Sequence, residues 1–209
     1  MKSKGKFVTF EGGDGSGKST QARLLYESLR SKDIPVILTR EPGGSEGAEE
    51  IRDIIVKGSV NKVDPYTELL LLVAARRDHI LKTIQPALGL GKWVICDRFI
   101  DSTLVYQGGA KGVAVELIQD LHKTFCFEMM PDKTVLCDIS VDNGLGRAKA
   151  RSSEEDRFEQ SGYDFHQNVR DGFLSLSQLY PERYLVINAE NSIENIHFQI
   201  VSAMGFKLA

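Results

Sequence analysis

Cysteine is scarce. The 209 residues contain three, Cys96, Cys126 and Cys137, with no C-x-x-C pair and no metal-ligand spacing. That excludes a disulfide framework and a cysteine-built zinc module. Cys96 and Cys137 each precede an aspartate at the end of an apolar run, as buried small hydrophobes do, and free thiols suit the cytoplasm. Long apolar runs are missing too. The longest, Leu69 to Ala75, has seven residues, whereas a bilayer-spanning helix needs about 20, so no membrane role is expected. Met1 to Lys6 is basic but leads into a strand-like segment rather than a signal-peptide core. Excess positive charge is also absent. The 26 Lys plus Arg against 29 Asp plus Glu leave a net charge of −3, which provides no global field to hold nucleic acid. Any anion site must be local. At roughly 150 residues per domain, the chain reads as one domain over 1–209.

What is present alternates. Lys6–Glu11, Ile34–Thr39, Trp93–Asp97, Thr134–Asp138 and Tyr184–Asn188 read as five strands. They are nearly continuous apolar runs, as burial on both faces requires. Apolar spacing predicts helices over Lys18–Ser31, Ser45–Lys57 and Val113–Phe125, and another after the capping Ser192. Asp64-Pro65 reads as a helix start, with that helix reaching about Leu88. The order predicts an α/β fold: a five-stranded parallel sheet with helices on both faces. Arg147–Glu159 (RAKARSSEEDRFE) has almost no apolar content and reads as a mobile, solvent-facing segment between two helices.

Residues 12–19, GGDGSGKS, match G-x-x-x-x-G-K-[ST] with a strand before and a helix after. Gly12, Gly15 and Gly17 let the backbone turn so that successive N–H groups face phosphate oxygens, and the following helix adds its N-terminal partial charge. Nucleotide phosphates are therefore expected on Gly12, Gly13, Asp14, Gly15, Ser16, Gly17, Lys18, Ser19 and Thr20. Lys18 is placed for the β- and γ-phosphates and the Ser19 hydroxyl for Mg²⁺. Two classes compete for such a cradle, a switch GTPase and a kinase for a small acceptor. Asn61-Lys62-Val63-Asp64 spells the guanine-reading N-K-x-D, but no strand precedes it, Asp64 reads as a helix cap, and no D-x-x-G lies between Ser19 and Asn61. The kinase reading gains from Asp97-Arg98-Phe99 at the carboxyl end of the third strand. There an acid supports Mg²⁺ through water and an arginine clamps a phosphate. Arg40-Glu41-Pro42-Gly43-Gly44 ends the second strand in a Gly-rich turn.

The set FEGGDGSGKSTQ (10–21), TREPGG (39–44), AARRDH (74–79), DRFIDSTLVYQGG (97–109) and RAKARSSEEDRFE (147–159) resembles the thymidylate kinases along essentially the whole chain. The resemblance implies a P-loop NTPase fold with a short mobile lid over 147–159. It implies a homodimer that converts ATP and dTMP to ADP and dTDP with Mg²⁺. Carried over, it places Asp14 beside the deoxyribose and Arg98, and Arg52 and Arg98 on the dTMP phosphate. Arg76 and Thr103 go to the thymine, Tyr106 against C2′ of the sugar, and Gln107 beside sugar and base. Lys18, Arg98, Arg151 and Arg157 then carry the catalytic charge, Arg147 joins the ATP site, and Ser19 and Asp97 serve the metal. Two positions depart from the pattern. Leu72 stands where many relatives place a thymine-stacking Phe, and Gly15 stands where one branch carries a basic residue, so this chain resembles the branch that draws its cation from the lid.

Overall fold

The structure is a computed structural model describing residues 5–57, 62–151, 158 and 161–206. In chain order its elements are β1 (Phe7–Glu11), α1 (Lys18–Arg30), β2 (Val36–Arg40), α2 (Glu46–Val56), α3 (Pro65–His79), α4 (Gln85–Gly89), β3 (Trp93–Asp97) and α5 (Ile100–Thr103). Then follow α6 (Val115–Phe125), β4 (Lys133–Asp138), α7 (Val141–Arg151), α8 (Tyr163–Leu179), β5 (Tyr184–Asn188) and α9 (Ile193–Ala203). The five strands form one sheet in the order β2-β3-β1-β4-β5, every pair parallel.

β1 is buried along its whole length because it is the central strand, covered on both faces. Its alternate residues feed different layers. Val8 and Phe10 pack with Leu25 and Leu29 of α1 and Ile196 and Ile200 of α9, while Phe7 packs with Leu69 and Val73 of α3 and Ile118 of α6. The connection leaving β1 runs to β2 and the one leaving β3 runs to β4, on opposite sides. The crevice between such diverging loops is where open α/β sheets bind ligands. In register, Asp97 lies opposite Phe10 on one side and Arg40 on the other. The P-loop, the Asp97-Arg98 turn and the Arg40-Glu41 turn therefore leave the sheet at one level.

Several expectations shift. β2 begins at Val36, because Pro35 has no N–H for the ladder, although its carbonyl accepts from Trp93 N. The helix expected to Leu88 is α3 and α4 joined through a π-helical turn, Ile80–Ile84, which absorbs the hydrogen bond Pro86 cannot make. The segment expected to be loop from Arg147 is helical to Arg151, with Ala148 buried. Arg, Ala and Lys are strong helix formers, and low apolar content alone does not make a loop. Of the expected lid, the side chain of Arg151, residues 152–157 with Arg157 among them, and residue 159 lie outside the described residues, as does Asn61. Among the described residues no helix is long and apolar enough to cross a membrane.

Candidate active site

A cavity of about 830 Å³ opens at the carboxyl ends of β1, β2 and β3. Its walls carry six basic side chains (Lys18, Arg23, Arg40, Arg52, Arg76, Arg98) against four acids (Asp14, Glu41, Glu49, Asp97), so the site is locally positive in a chain of net charge −3. The volume falls within the range of small-ligand pockets.

The P-loop forms one end. Gly12, Gly15 and Gly17 all adopt positive φ. At Gly15 the requirement is also steric, since a Cβ there would lie 1.9 Å from the Gly144 carbonyl oxygen on α7. Lys18 is buried and donates to Gly13 O at 3.1 Å, folding the loop around its own ammonium. Burial, and then the nearby Arg98, push its pKa down. Ser16 is buried, and Ser19 and Thr20 are exposed at the start of α1. The Ser19 hydroxyl donates to Asp97 Oδ2, and Asp97 Oδ1 is buried with no partner among the described residues. A hydroxyl and a spare carboxylate oxygen side by side at a phosphate cradle are a donor set that fits Mg²⁺. No group of three or more His, Cys, Asp or Glu suited to a metal occurs among the described residues.

Arg98 joins this end to the next wall. Its φ of 68° turns the side chain back over the P-loop, a left-handed conformation that costs about 1–2 kcal/mol for a residue with a Cβ. The guanidinium repays the turn with contacts to Gly12 O (3.2 Å), Ser102 Oγ (3.0 Å), Asp14 Oδ1 (2.8 Å) and Tyr106 OH (3.2 Å). Burial raises the Tyr106 phenol's pKa, so it stays a neutral donor. Behind Arg98, buried Glu11 accepts from Phe99 N and Ser102 Oγ, and burial and then Asp101 push its pKa up to about 8.

The far wall holds Arg76. Its Nε donates to Glu41 Oε2 at 2.7 Å and its Nη2 to Thr103 Oγ1 at 2.8 Å, while Nη1 is buried with no partner among the described residues. Burial works against the Glu41 charge, but Arg76 and the His79 hydrogen bond outweigh it and hold the carboxyl below its usual range. His79 bridges Glu41 Oε1 (3.1 Å) and Thr39 Oγ1 (2.7 Å). Gly44 must be glycine for this, because its Cβ would meet both His79 Nε2 and Thr39 Oγ1 at 2.4 Å. Leu72 packs with Ile55 and Val56, and Phe158 rests against the same cluster. Gln107 and Tyr106 complete the lining.

The structure therefore brings Asp14, Lys18, Ser19, Arg52, Leu72, Arg76, Asp97, Arg98, Thr103, Tyr106 and Gln107 onto one cavity. Thr103 Oγ1 accepts from Arg76 Nη2, which leaves its hydroxyl proton available for the expected contact with the base. Arg147 lies outside the lining and donates to Ala189 O at 2.9 Å. Asp64 caps α3, accepting from Tyr66 N and Thr67 N, which removes the guanine-reading use of the N-K-x-D string. Sequence reasoning gave no role to Glu11, Glu68, His79 or Lys111, which brace the lining residues from behind, and named Glu41 only as part of its Gly-rich turn. For Glu68 the sequence signal is a charge beside an apolar run, TELLLLV, whereas Glu11, Glu41, His79 and Lys111 lie among glycine, proline or charged neighbours that do not mark their contacts.

The thymidylate kinase family model matches residues 10–200. The chain is 48% identical over 196 residues to a thymidylate kinase of Ruegeria pomeroyi, covering 94% of this chain and 92% of that protein. It is 45% identical over 192 residues to one of Magnetococcus marinus, covering 92% and 91%. The crystal structure of thymidylate kinase from Ehrlichia chaffeensis superposes with a TM-score of 0.77 at 36% identity, covering 96% of this chain and 98% of that one. Match, fold and cavity agree, and the chain belongs to the thymidylate kinase family, ATP-dependent enzymes that phosphorylate dTMP to dTDP.

Proposed function

We propose that the chain carries out this transfer across the cavity described above, with ATP phosphates on the P-loop and dTMP between Arg98 and Arg76. The observation that carries the reading is continuity: one space is lined by Lys18 and Ser19 at one end and by Arg76, Tyr106 and Gln107 at the other. Arg98 and Arg52 are assigned the acceptor phosphate, and the unpartnered Nη1 of Arg76 the thymine carbonyl. Tyr106, held by Arg98 and packed edge-on against Phe165 and Phe173, fills the space a ribose 2′-hydroxyl needs.

The acceptor is already a phosphate, so no side-chain base is needed to make it nucleophilic. Positioning and charge neutralisation do the work. Two anions must approach, and Lys18 and Arg98 are preorganised cations aimed at that meeting point. Ser19 and Asp97 would hold Mg²⁺, which when bound would neutralise further charge on the nucleotide phosphates. Arg151 and Arg157, in the 147–159 lid that the family resemblance implies, are assigned the remaining charge. Closure over both substrates keeps water from the γ-phosphate. The buried, unpaired thiols support a cytoplasmic setting. The exposed apolar Tyr66 and Leu70 of α3, with Phe125 and Phe127 beside Arg77, support a homodimer, checked by sedimentation of wild type against Leu70→Glu.

The test is ADP release measured across the nucleoside monophosphates, with and without Mg²⁺. Stimulation by dTMP is expected. If dTMP fails to stimulate and GTP displaces ATP, the reading is wrong.

A further inference from the structure

The geometry points to Glu68 as the residue that sets the hydrogen-bond polarity of the base pocket, acting through Gln107. The inference rests on the acceptor reading above. Glu68 lies in the first turn of α3 and is fully buried, where a carboxylate persists only with partners. Its Oε1 receives Gln107 Nε2 at 2.7 Å and Lys111 Nζ at 2.6 Å. An oxygen taking two donors can only accept. The Gln107 amide must then turn its NH₂ toward Glu68, because the flipped amide would set two acceptors 2.7 Å apart with no proton between them.

That leaves Oε1 as the other end of the amide. Gln107 is 2% exposed, lines the cavity, and its Oε1 forms no hydrogen bond among the described residues. The pocket therefore offers one fixed acceptor from Gln107 and one fixed donor from Arg76 Nη1. A pyrimidine with N3–H and O4 satisfies both, whereas cytosine presents an unprotonated N3 and a 4-amino donor and opposes both. Glu68 touches no substrate; it is a positioning residue that makes an ambiguous amide read one edge. Lys111 supplies the counter-charge that lets Glu68 stay buried.

The experiment compares dTMP with 5-methyl-dCMP, acceptors that differ only along this edge, by kcat/KM with ATP and Mg²⁺. In Glu68→Gln the partner amide can face either way, so the dTMP preference should fall about 10-fold or more. Glu68→Asp keeps an acceptor and should hold the ratio within about threefold, since the amide still has one favourable orientation. In a Gln107→Leu background, Glu68→Gln should change the ratio no further, an outcome a purely structural carboxylate would not give. A folded Glu68→Gln with an unchanged ratio overturns the inference, as does an equal loss with or without Gln107. Should Glu68→Gln not fold, Gln107→Leu decides: a retained ratio shows that Gln107 does not read the edge. Wild-type turnover of dTMP checks the acceptor reading separately, and a wild type that phosphorylates neither acceptor removes both.

Discussion

A side chain at position 15 should disable the enzyme even when it is the basic residue carried by another branch of the family. Gly15 has φ of 72° and its Cβ position lies 1.9 Å from Gly144 O, 2.8 Å from Gly144 C and 3.1 Å from Gly144 Cα. The obstacle is backbone, so a rotamer change cannot relieve it. Restoring a 3.0 Å separation needs a shift of about 1 Å between the P-loop and α7. The left-handed conformation adds about 1–2 kcal/mol of strain for any residue with a Cβ. A misplacement of about 1 Å at a phosphoryl-transfer site can cost on the order of 10²-fold in rate. Gly15→Ala and Gly15→Arg should therefore both lower kcat by about that factor, measured by coupled ADP release at saturating substrates. Dissociation of dTMP, read by calorimetry without ATP, should change little, because Arg76 and Gln107 lie on the far wall. If Gly15→Arg keeps kcat within about threefold of wild type, α7 does not constrain the P-loop and the steric argument fails.

Other outcomes follow from single contacts. Arg157→Ala should lower kcat at least about 10²-fold while the KM for dTMP stays near wild type; a loss confined to dTMP affinity would remove the lid from the transition state. Tyr106→Ala should narrow the preference for dTMP over its ribose analogue, and an unchanged ratio in a folded variant would show the ring is only packing. Arg183→Met strands the buried Asp101 carboxylate, which Arg183 meets through both guanidinium arms, and should cost about 3–5 kcal/mol, seen as a melting temperature lower by about 6–20 °C. Glu11 has a folded pKa near 8 against 4.5 unfolded, so its contribution is full below pH 4.5 and is lost as pH rises through 8. Glu11→Gln should flatten that part of the stability profile between pH 5 and 8 in urea titrations, and an identical slope in both proteins would refute the assignment.

The sheet was legible because its strands are short apolar runs ending in functional residues, and β3 and β5 match their expected limits. The P-loop was legible because its glycines and lysine are contiguous. What stayed hidden depends on approach in three dimensions. Arg76 was expected at the base, but the residues that fix its direction, Glu41 and Thr103, lie 35 and 27 positions away. Gln107 is separated by 39 positions from the carboxylate that orients it. Nothing local marks these pairs. The helix α5 was missed, and α8 was foreseen only as a helix of unstated bounds after Glu159, for a different reason. The first is one turn followed by a π-helical stretch, Leu104–Ala110, that contains Gly108 and Gly109. The second is polar and follows a segment whose composition suggested loop.

The charge count shows how little a global quantity says of a site. A net charge of −3 gives no global field and requires any anion site to be local, and the cavity gathers six cations and four acids. The acids are not simply subtracted from the cations. Asp14 grips Arg98, Glu41 grips Arg76 and Glu49 grips Arg40, each at 3.0 Å or less. A free arginine can direct its donors many ways and must be ordered when substrate arrives. One already bound to a carboxylate keeps its charge, loses that freedom, and points its remaining N–H groups along fixed lines. Orientation set during folding need not be paid again in each turnover. The carboxylates thus convert flexible cations into directed donors. Their removal should weaken catalysis more than the added positive charge strengthens it.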